Sequence, residues 1–373
     1  MKIIMCTRDL DYGAGSYVKM LLKELDKNDE IKKIYVIAPK KLDGFSNKVE
    51  FFTVKLFGNF IIKIPLFSFK VRCIIKNIIA SEKIDLIHTH HSMFFRNSKI
   101  PIIFTVHSLH DLAYRNNPFS NLSMTFVKMF HIIYEFLDYF QMKNSNKILF
   151  ASKKTMEYSE GKYKKYSQKF IFYPNFVDTT LFYPFNLKIK DLLREKYGLN
   201  KNKKYLLFVG RLEPLKGVSN LANIIKELKM KNQNIELLIV GDGPLKDQIS
   251  RNDFVKYLGK IPHHIMSEIY NVSDFFVLPS FYENSPMTIL EAMSCGLPVI
   301  STEVGDAKSI IRNNDMLIKK PDSFSIKNKL EFLFGLSDTR IKDIGKINRK
   351  RIINCYSSKK NTNKILKVYR DVS

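Results

Sequence analysis

Tryptophan is absent from this 373-residue chain and cysteine occurs only four times, at Cys6, Cys73, Cys295 and Cys355. Four thiols this far apart, with no metal-type spacing, exclude a disulfide scaffold or a zinc module. They read as reduced core thiols of a cytoplasmic protein. Long apolar runs are missing too, and a spanning helix needs about 18 uninterrupted apolar residues. The richest stretch, 122–142, is broken by Lys128, His131, Glu135 and Asp138. The opening Lys2-Ile-Ile-Met-Cys6 is followed by no long apolar run and no small-residue cleavage site, so it reads as a first strand and not a secretion signal. Acidic residues are scarce: 36 stand against 61 Lys and Arg, for a formal charge of +25. The excess is spread evenly, with 28 basic and 15 acidic side chains in residues 1–173 and 33 and 21 in the remainder. A nucleic-acid binder concentrates its charge in one element or arm, so no nucleic-acid partner is expected.

What is present is a rhythm. At 373 residues, 45% of them hydrophobic, the chain is too long for one ordinary core and sufficient for two. Apolar strands are predicted at 2–6, 34–38, 51–54, 85–88, 102–106, 147–151 and 170–172, with helices between most of them, including 16–25 and 122–142. A second series has strands at 205–209, 235–240, 255–258, 275–278 and 297–301. Its helix at 218–231 carries Val218, Leu221, Ile224, Ile225 and Leu228 on one face. Alternation of this kind predicts a parallel, doubly wound α/β sheet occurring twice. The Pro174-Asn-Phe-Val-Asp178 segment, with Pro184 beyond it, separates the two series. The expected domains are therefore 1–173 and 185–355, joined by a linker at 174–184.

Ligands of such sheets gather where strands end and helices begin. Gly13 and Gly15, in Asp11-Tyr-Gly-Ala-Gly-Ser16, would let backbone approach a phosphate after the first strand. Thr105-Val-His-Ser108 puts His107 at the end of the fifth. In the second series, Gly210-Arg-Leu-Glu-Pro-Leu-Lys-Gly217 offers two cations, Arg211 and Lys216, beside a helix start, where an arginine fork and a lysine point charge suit a diphosphate. Gly241-Asp-Gly-Pro244 reads mainly as a turn. The most informative stretch is 273–301. Its strand stops at Pro279, Glu283 stands in the loop, Ser285 is the expected N-cap, Pro286 the first helical residue, and Glu291 lies inside the helix. Unpaired N–H groups at that helix start suit an anion, and the two carboxylates suit attached hydroxyl groups. His88, His90 and His91 invite a metal reading, but neighbouring strand residues point to opposite faces and no matched carboxylate or cysteine accompanies them, so no metal site is assigned.

One surface also stands out. Between Glu50 and Glu82 there are five basic residues, Lys55, Lys63, Lys70, Arg72 and Lys76, and no acidic ones. They are interleaved with Phe57, Phe60, Ile61, Ile62, Ile64, Leu66, Phe67 and Phe69. Residues 51–81 are thus a candidate contact with an anionic membrane surface, and the competing reading is a core helix with its lysines in water.

Taken together, the segments 210–217, 241–244 and 273–280 with the Glu283/Glu291 pair resemble, in order and spacing, the retaining nucleotide-sugar glycosyltransferases of family 4 (glycosyltransferase group 1). The resemblance is strongest in the second half. It implies the GT-B architecture: two Rossmann-like domains facing across a cleft, with a C-terminal helix near 356–373 crossing back to the N-terminal, acceptor-binding domain. It implies that Arg211 and Lys216 grip the donor diphosphate. Glu283 would stand near the donor sugar, with backbone amides from Asn284 through Ser285, Pro286 and Met287 to Thr288 beside sugar and phosphate. Glu291 would bind ribose hydroxyls, Gly13 and Gly15 would approach the donor phosphate, and His107 the transferred sugar. The chain departs from the family pattern at Gly13-Ala14-Gly15, Ser285-Pro286-Met287 and Val304-Gly-Asp306. The implied activity is hexosyl transfer from a UDP- or GDP-sugar to a glycan or lipid-linked hydroxyl, in cell-surface polysaccharide or glycolipid synthesis, in the cytoplasm or on the inner face of the membrane. No cofactor and no metal are expected, since protein cations fill that role. Rival readings are another GT-B enzyme such as a nucleotide-sugar epimerase or a phosphorylase, a basic non-enzymatic binding protein, and a dinucleotide-dependent oxidoreductase. The last fails because Gly13-Ala-Gly-Ser-Tyr-Val18 lacks its third glycine.

Overall fold

The computed structural model describes residues 1–10, 13–55, 60–97, 99–109, 124–230, 234–251 and 253–373, with side chains throughout except at 60–65 and 124–131. Asp11, Tyr12, Phe57, the side chains of Phe60, Ile61, Ile62, Lys63 and Ile64, the helix start at 122, the side chains of Lys128 and His131, and the helix end at 231 lie outside that description. The chain divides into two compact units. Among the described residues one takes in 1–109, 124–176 and Ser358–Ser373, and the other Val177–Ser357.

The first unit holds seven strands: β1 (Lys2–Cys6), β2 (Lys33–Ala38), β3 (Val49–Thr53), β4 (Leu86–Thr89), β5 (Ile102–Val106), β6 (Lys147–Phe150) and β7 (Phe170–Phe172). They pair in the order β3-β2-β1-β4-β5-β6-β7, parallel at every step. Ile3, Ile4, Met5 and Cys6 of β1 are fully buried, as a strand covered on both faces must be. The second unit holds β8 (Lys204–Val209), β9 (Ile235–Val240), β10 (Val255–Gly259), β11 (Phe275–Leu278), β12 (Val299–Thr302) and β13 (Leu317–Ile318), in the order β10-β9-β8-β11-β12-β13. This sheet too is parallel throughout. The sixth strand of this sheet was not expected from sequence, because two residues are too few for a period-2 pattern. In both sheets the chain steps outward over three strands and then returns to the far side of the first. The reversal creates a crevice between β1 and β4 and another between β8 and β11, the positions where open sheets bind ligands.

Helices cover both sheets through their apolar stripes. Val218, Leu221, Ile224, Ile225 and Leu228 of the helix Val218–Met230 are all buried, as the 3.6-residue period requires. In the helix Phe60–Ser81, Phe67, Val71, Ile75 and Ile78 form a buried stripe inside the first unit, while Phe69, Arg72 and Lys76 are exposed. Among the described residues the apolar stripe from Phe67 to Ile78 is therefore core, whereas Cys73 on the same helix, like Cys355, is exposed and not the core thiol expected. The segment expected as a linker is packed as well: Phe182 is buried, Asn271 Nδ2 donates to the Tyr183 carbonyl at 2.9 Å, and Arg349 Nη1 donates to the Phe182 carbonyl at 2.6 Å. At the C-terminal end there are two helices, Asp338–Tyr356 and Ser358–Arg370, separated by Ser357 in an extended conformation. Tyr356 thus ends the earlier helix. The later one packs within the first unit, where Tyr173 Oη donates to the Asn361 carbonyl at 2.9 Å and Arg370 pairs with Glu30 at 2.9 Å.

Candidate active site

The crevice between β8 and β11 is built by two loops held backbone to backbone. β8 runs into Gly210-Arg211, a 3-10 turn at Pro214–Lys216 follows, and Gly217 adopts φ +69° before the helix Val218–Met230. A Cβ at Gly217 would lie 2.3 Å from the Pro279 carbonyl oxygen, so only glycine lets this helix start lie against the end of β11. The Phe281 amide donates to the Leu215 carbonyl at 2.9 Å, tying the two loops once more. Gly241 makes an equally close approach: its Cβ would sit 1.8 Å from the Gly210 oxygen, which accounts for the Gly241-Asp-Gly-Pro244 turn.

Across this seam Lys216 Nζ lies 2.7 Å from Glu283 Oε1, both side chains largely shielded. Ser280 Oγ donates to the same carboxylate oxygen at 2.9 Å, and Thr302 Oγ1 donates to the Ser280 carbonyl at 2.6 Å. Sequence alone did not single out Ser280 and Thr302, since isolated hydroxyls carry no pattern. Arg211 is half exposed and reaches Glu213 on its own loop, with Nη2–Oε2 at 3.3 Å. The two cations therefore flank one loop, each beside a carboxylate.

The helix after Glu283 begins one residue later than expected. It spans Met287–Ser294, with Pro286 and not Ser285 at the N-cap position and no side-chain hydrogen bond from the cap. Proline has no N–H and no side-chain acceptor, so it occupies the cap without engaging the first-turn donors. Asn284 is held through its backbone, since its carbonyl accepts the Asp306 amide at 3.0 Å and Gly305 at φ +50° passes so close that a Cβ would be 2.1 Å from that oxygen. This is how the Val304-Gly-Asp306 loop meets the site. Glu291, one turn into the helix, is only 4% exposed. His263 Nε2 stands 2.9 Å from its Oε1, and Tyr270 Oη donates to its Oε2 at 2.7 Å. Burial and the neighbouring carboxylate push the Tyr270 phenol well up, which keeps it a donor. His263 and Tyr270 escaped the sequence reading because their nearness to Glu291 arises only from the fold.

In the first unit, the helix expected at residue 16 starts at Gly13, so Gly13 and Gly15 lie in its first turn. A Cβ on Gly15 would lie 2.4 Å from the Leu10 carbonyl carbon, whereas Gly13 faces open space. The close approach that demands glycine at 15 is thus first of all to the chain's own loop. His107 follows β5 and is partly exposed. Its Nε2 lies 3.2 Å from His90 Nδ1, and the Tyr17 ring meets it edge-on at 4.9 Å. His88 is buried, its Nδ1 2.7 Å from Tyr369 Oη and its Nε2 2.7 Å from Thr105 Oγ1. His88 and His90, two apart, share a face with ring centroids 4.2 Å apart, and His91 turns instead to accept the Arg8 amide at 3.1 Å on its Nδ1. Burial lowers the imidazoles: His107 to about 4, His88 to about 3 and His90 well below the ordinary value. Both ring nitrogens of His88 already face hydroxyls. Among the described residues no three histidine, cysteine or acidic side chains are disposed to hold a metal ion.

Two reversed parallel sheets, each with a crevice of this kind, define the class. The crystal structure of sucrose-phosphate synthase from Thermosynechococcus elongatus matches with a TM-score of 0.81 at 18% identity, over 99% of this chain and 98% of that one, so the fold is GT-B. Residues 12–181 match Glycosyltransferase Family 4 and residues 189–367 match Glycosyl transferases group 1. The chain belongs to the group 1, family 4 glycosyltransferases. It is 28% identical over 313 residues to the Escherichia coli UDP-Gal:alpha-D-GlcNAc-diphosphoundecaprenol alpha-1,3-galactosyltransferase, covering 79% of this chain and 77% of that protein. It is 32% identical over 138 residues to the putative teichuronic acid biosynthesis glycosyltransferase TuaC of Bacillus subtilis, 37% of this chain and 34% of that one, so this match spans about a third of TuaC. The epimerase, phosphorylase, oxidoreductase and binding-protein readings gain no support from these matches.

Proposed function

We propose that this chain is a retaining glycosyltransferase that moves a hexose from a nucleotide diphosphate sugar to a hydroxyl of a glycan or lipid-linked acceptor. One observation carries the reading: the Lys216–Glu283 pair sits at the β8/β11 crevice, next to a helix start whose cap position gives no side-chain hydrogen bond. A diphosphate placed there would meet Lys216, the fork of Arg211 and the first-turn amides of Met287 and Thr288, with Asn284 and Ser285 alongside. Glu283 would then face the donor sugar and Glu291 the ribose, its oxygens held by His263 and Tyr270 while lone pairs remain to accept further hydrogen bonds. Gly13, Gly15 and His107 keep in this reading the donor-contact role that the resemblance implies for them.

As the bond from the anomeric carbon to the diphosphate oxygen breaks, negative charge grows on the leaving group. Arg211, Lys216 and the helix start stabilise that charge more than they do the ground state. The acceptor oxygen bonds to the anomeric carbon from the face the diphosphate leaves, and its proton passes to the departing phosphate oxygen. Protein cations occupy the usual metal role here, so no divalent cofactor is invoked. A uridine donor and a polyprenyl-diphosphate-linked acceptor are favoured by the likeness to the Escherichia coli enzyme. Among the described residues no helix is long and apolar enough to cross a membrane. A lipid-linked acceptor would be met at a membrane surface, for which the exposed Phe69, Arg72 and Lys76 are the candidate contacts.

The test is transfer from a panel of UDP- and GDP-sugars to a short polyprenyl-diphosphate glycan, with the product linkage assigned by NMR. An α-linked product from an α-linked donor, formed in EDTA, is the expected result. An inverted linkage, or binding of none of the donors, would overturn the reading.

A further inference from the structure

The histidines at the end of β4 and β5 hold an arrangement that the donor reading does not use. His90 is 1% exposed, its Nδ1 is 3.2 Å from His107 Nε2, and its own Nε2 is buried with no hydrogen-bond partner among the described residues. Burial keeps both rings neutral at pH 7, so they carry one proton each and a single proton lies between them. There are two ways to place it. With the His90 proton on Nε2, a buried N–H would have no acceptor, an arrangement native structures rarely tolerate, and His107 would have to donate from Nε2. With the proton on Nδ1, His90 donates to His107 and leaves only an unused lone pair behind. The second arrangement costs less. It also takes up His107 Nε2 as an acceptor, so the proton of His107 sits on Nδ1.

We propose that His90 is a positioning residue that donates from Nδ1 to His107 Nε2 and thereby fixes His107 in the Nδ1–H tautomer, with its ring held in one orientation. The packing supports a fixed geometry. The His90 ring lies against His88 at 4.2 Å between centroids and nearly parallel to His107 at 5.5 Å, and Tyr17 closes the far edge of His107. His88 is itself pinned at both nitrogens by Tyr369 and Thr105. The His91 ring, by contrast, accepts at Nδ1 from a backbone amide and so carries its proton on Nε2. Neighbouring histidines are thus set in opposite tautomers by their surroundings. The consequence for transfer rests on the reading of His107 as a donor-sugar contact: a ring held in one tautomer and one orientation need not reorganise as transfer proceeds.

The tautomer can be read directly. In the folded protein labelled with 15N-histidine, long-range 1H–15N spectra separate protonated from bare ring nitrogens, and the His107 signals are identified by their loss in His107→Gln. A bare Nε2 and a protonated Nδ1 at His107 are expected. His90→Leu should mix or reverse that pattern and lower kcat/KM about tenfold, roughly the worth of one hydrogen bond. His90→Asn, whose amide N–H can stand near the position of the imidazole Nδ1, should restore both. A protonated Nε2 at His107 in the wild-type protein overturns the assignment, and so does an unchanged His107 pattern in folded His90→Leu. Where His90→Leu does not fold, the wild-type and His90→Asn spectra decide. Full transfer activity in His107→Gln would refute the donor-contact reading while leaving the tautomer assignment to the spectra.

Discussion

Lys216 Nζ and Glu283 Oε1 are 2.7 Å apart, although 67 residues of chain separate them. The contact joins the loop after β8 to the loop after β11, so the charge nearest the proposed diphosphate is aligned by the carboxylate nearest the proposed sugar. Replacing Lys216 by Ala removes the cation and leaves a shielded carboxylate unpaired. Loss of transition-state stabilisation should lower kcat by about 10²–10³, and loss of the pair should lower the melting temperature only slightly. Steady-state kinetics and a thermal melt separate the two effects; wild-type turnover in the folded variant would end the clamp assignment.

At Glu291 the prediction concerns binding. Tyr270→Phe deletes the donor to Oε2 and should cost about 1 kcal/mol of stability. Glu291→Gln keeps the shape and removes the charge. Its effect should appear as a KM for the nucleotide sugar raised about tenfold with kcat nearly unchanged, as expected when a uniform ground-state contact is lost. A change confined to kcat would place Glu291 at the reacting centre instead.

Backbone geometry makes a third prediction. Gly217→Ala puts a methyl 2.3 Å from the Pro279 oxygen at a φ of +69°. Destabilisation of about 1–3 kcal/mol is expected from the positive φ and the clash together. Gly13→Ala, with open space around its Cβ, should be nearly neutral by the same denaturant titration.

The histidines predict a dependence of stability on pH. His107 at about 4 and His88 at about 3 are depressed by burial below the ordinary value of 6.5, so between those values the unfolded chain binds more protons than the folded one. Stability contributed by the neutral rings is complete above about pH 6.5 and is lost as pH falls toward 4. Urea melts between pH 7 and pH 4.5 should show falling midpoints, with a shallower fall in His107→Gln. A flat wild-type profile would contradict the burial of these rings.

For the membrane reading, sedimentation with vesicles rich in phosphatidylglycerol should decrease when Lys63, Lys70, Arg72 and Lys76 are replaced by Gln, and further when salt is raised. Equal sedimentation of both proteins would remove that surface from consideration.

Much of the architecture was legible because buried parallel strands leave an unmistakable apolar signature. β1, β5, β7, β9 and β11 begin and end where the pattern predicts, and the buried stripe from Val218 to Leu228 follows the helical period. β13 was not legible, since Leu317 and Ile318 are strand only by pairing with Ser301 and Thr302. The start of the helix at 287 was displaced because Ser285 is a better cap by composition, while the adjacent proline, restricted in φ, takes the cap position. Arg211 and Lys216 were visible as charges beside glycines, and Glu283 and Glu291 as carboxylates on either side of Pro286. Ser280, His263 and Tyr270 were invisible because their partners lie 3, 28 and 21 residues away, at separations with no periodic meaning. The interleaved cations and hydrophobes of 51–81 admit two readings, since a helix of the core and a helix on a bilayer share one amphipathic pattern, and the buried stripe from Phe67 to Ile78 accounts for only its described part.

Ser357 has a consequence for how this protein is made. On the ribosome, residues 177–357 emerge as one uninterrupted stretch able to close on itself, whereas the half translated first must wait for 358–373 to bring Tyr369 to His88 and Asn361 to Tyr173. The first unit is therefore completed only after the residues of the second have been made. In the interval the wall of the first sheet that those sixteen residues cover is unshielded during biosynthesis.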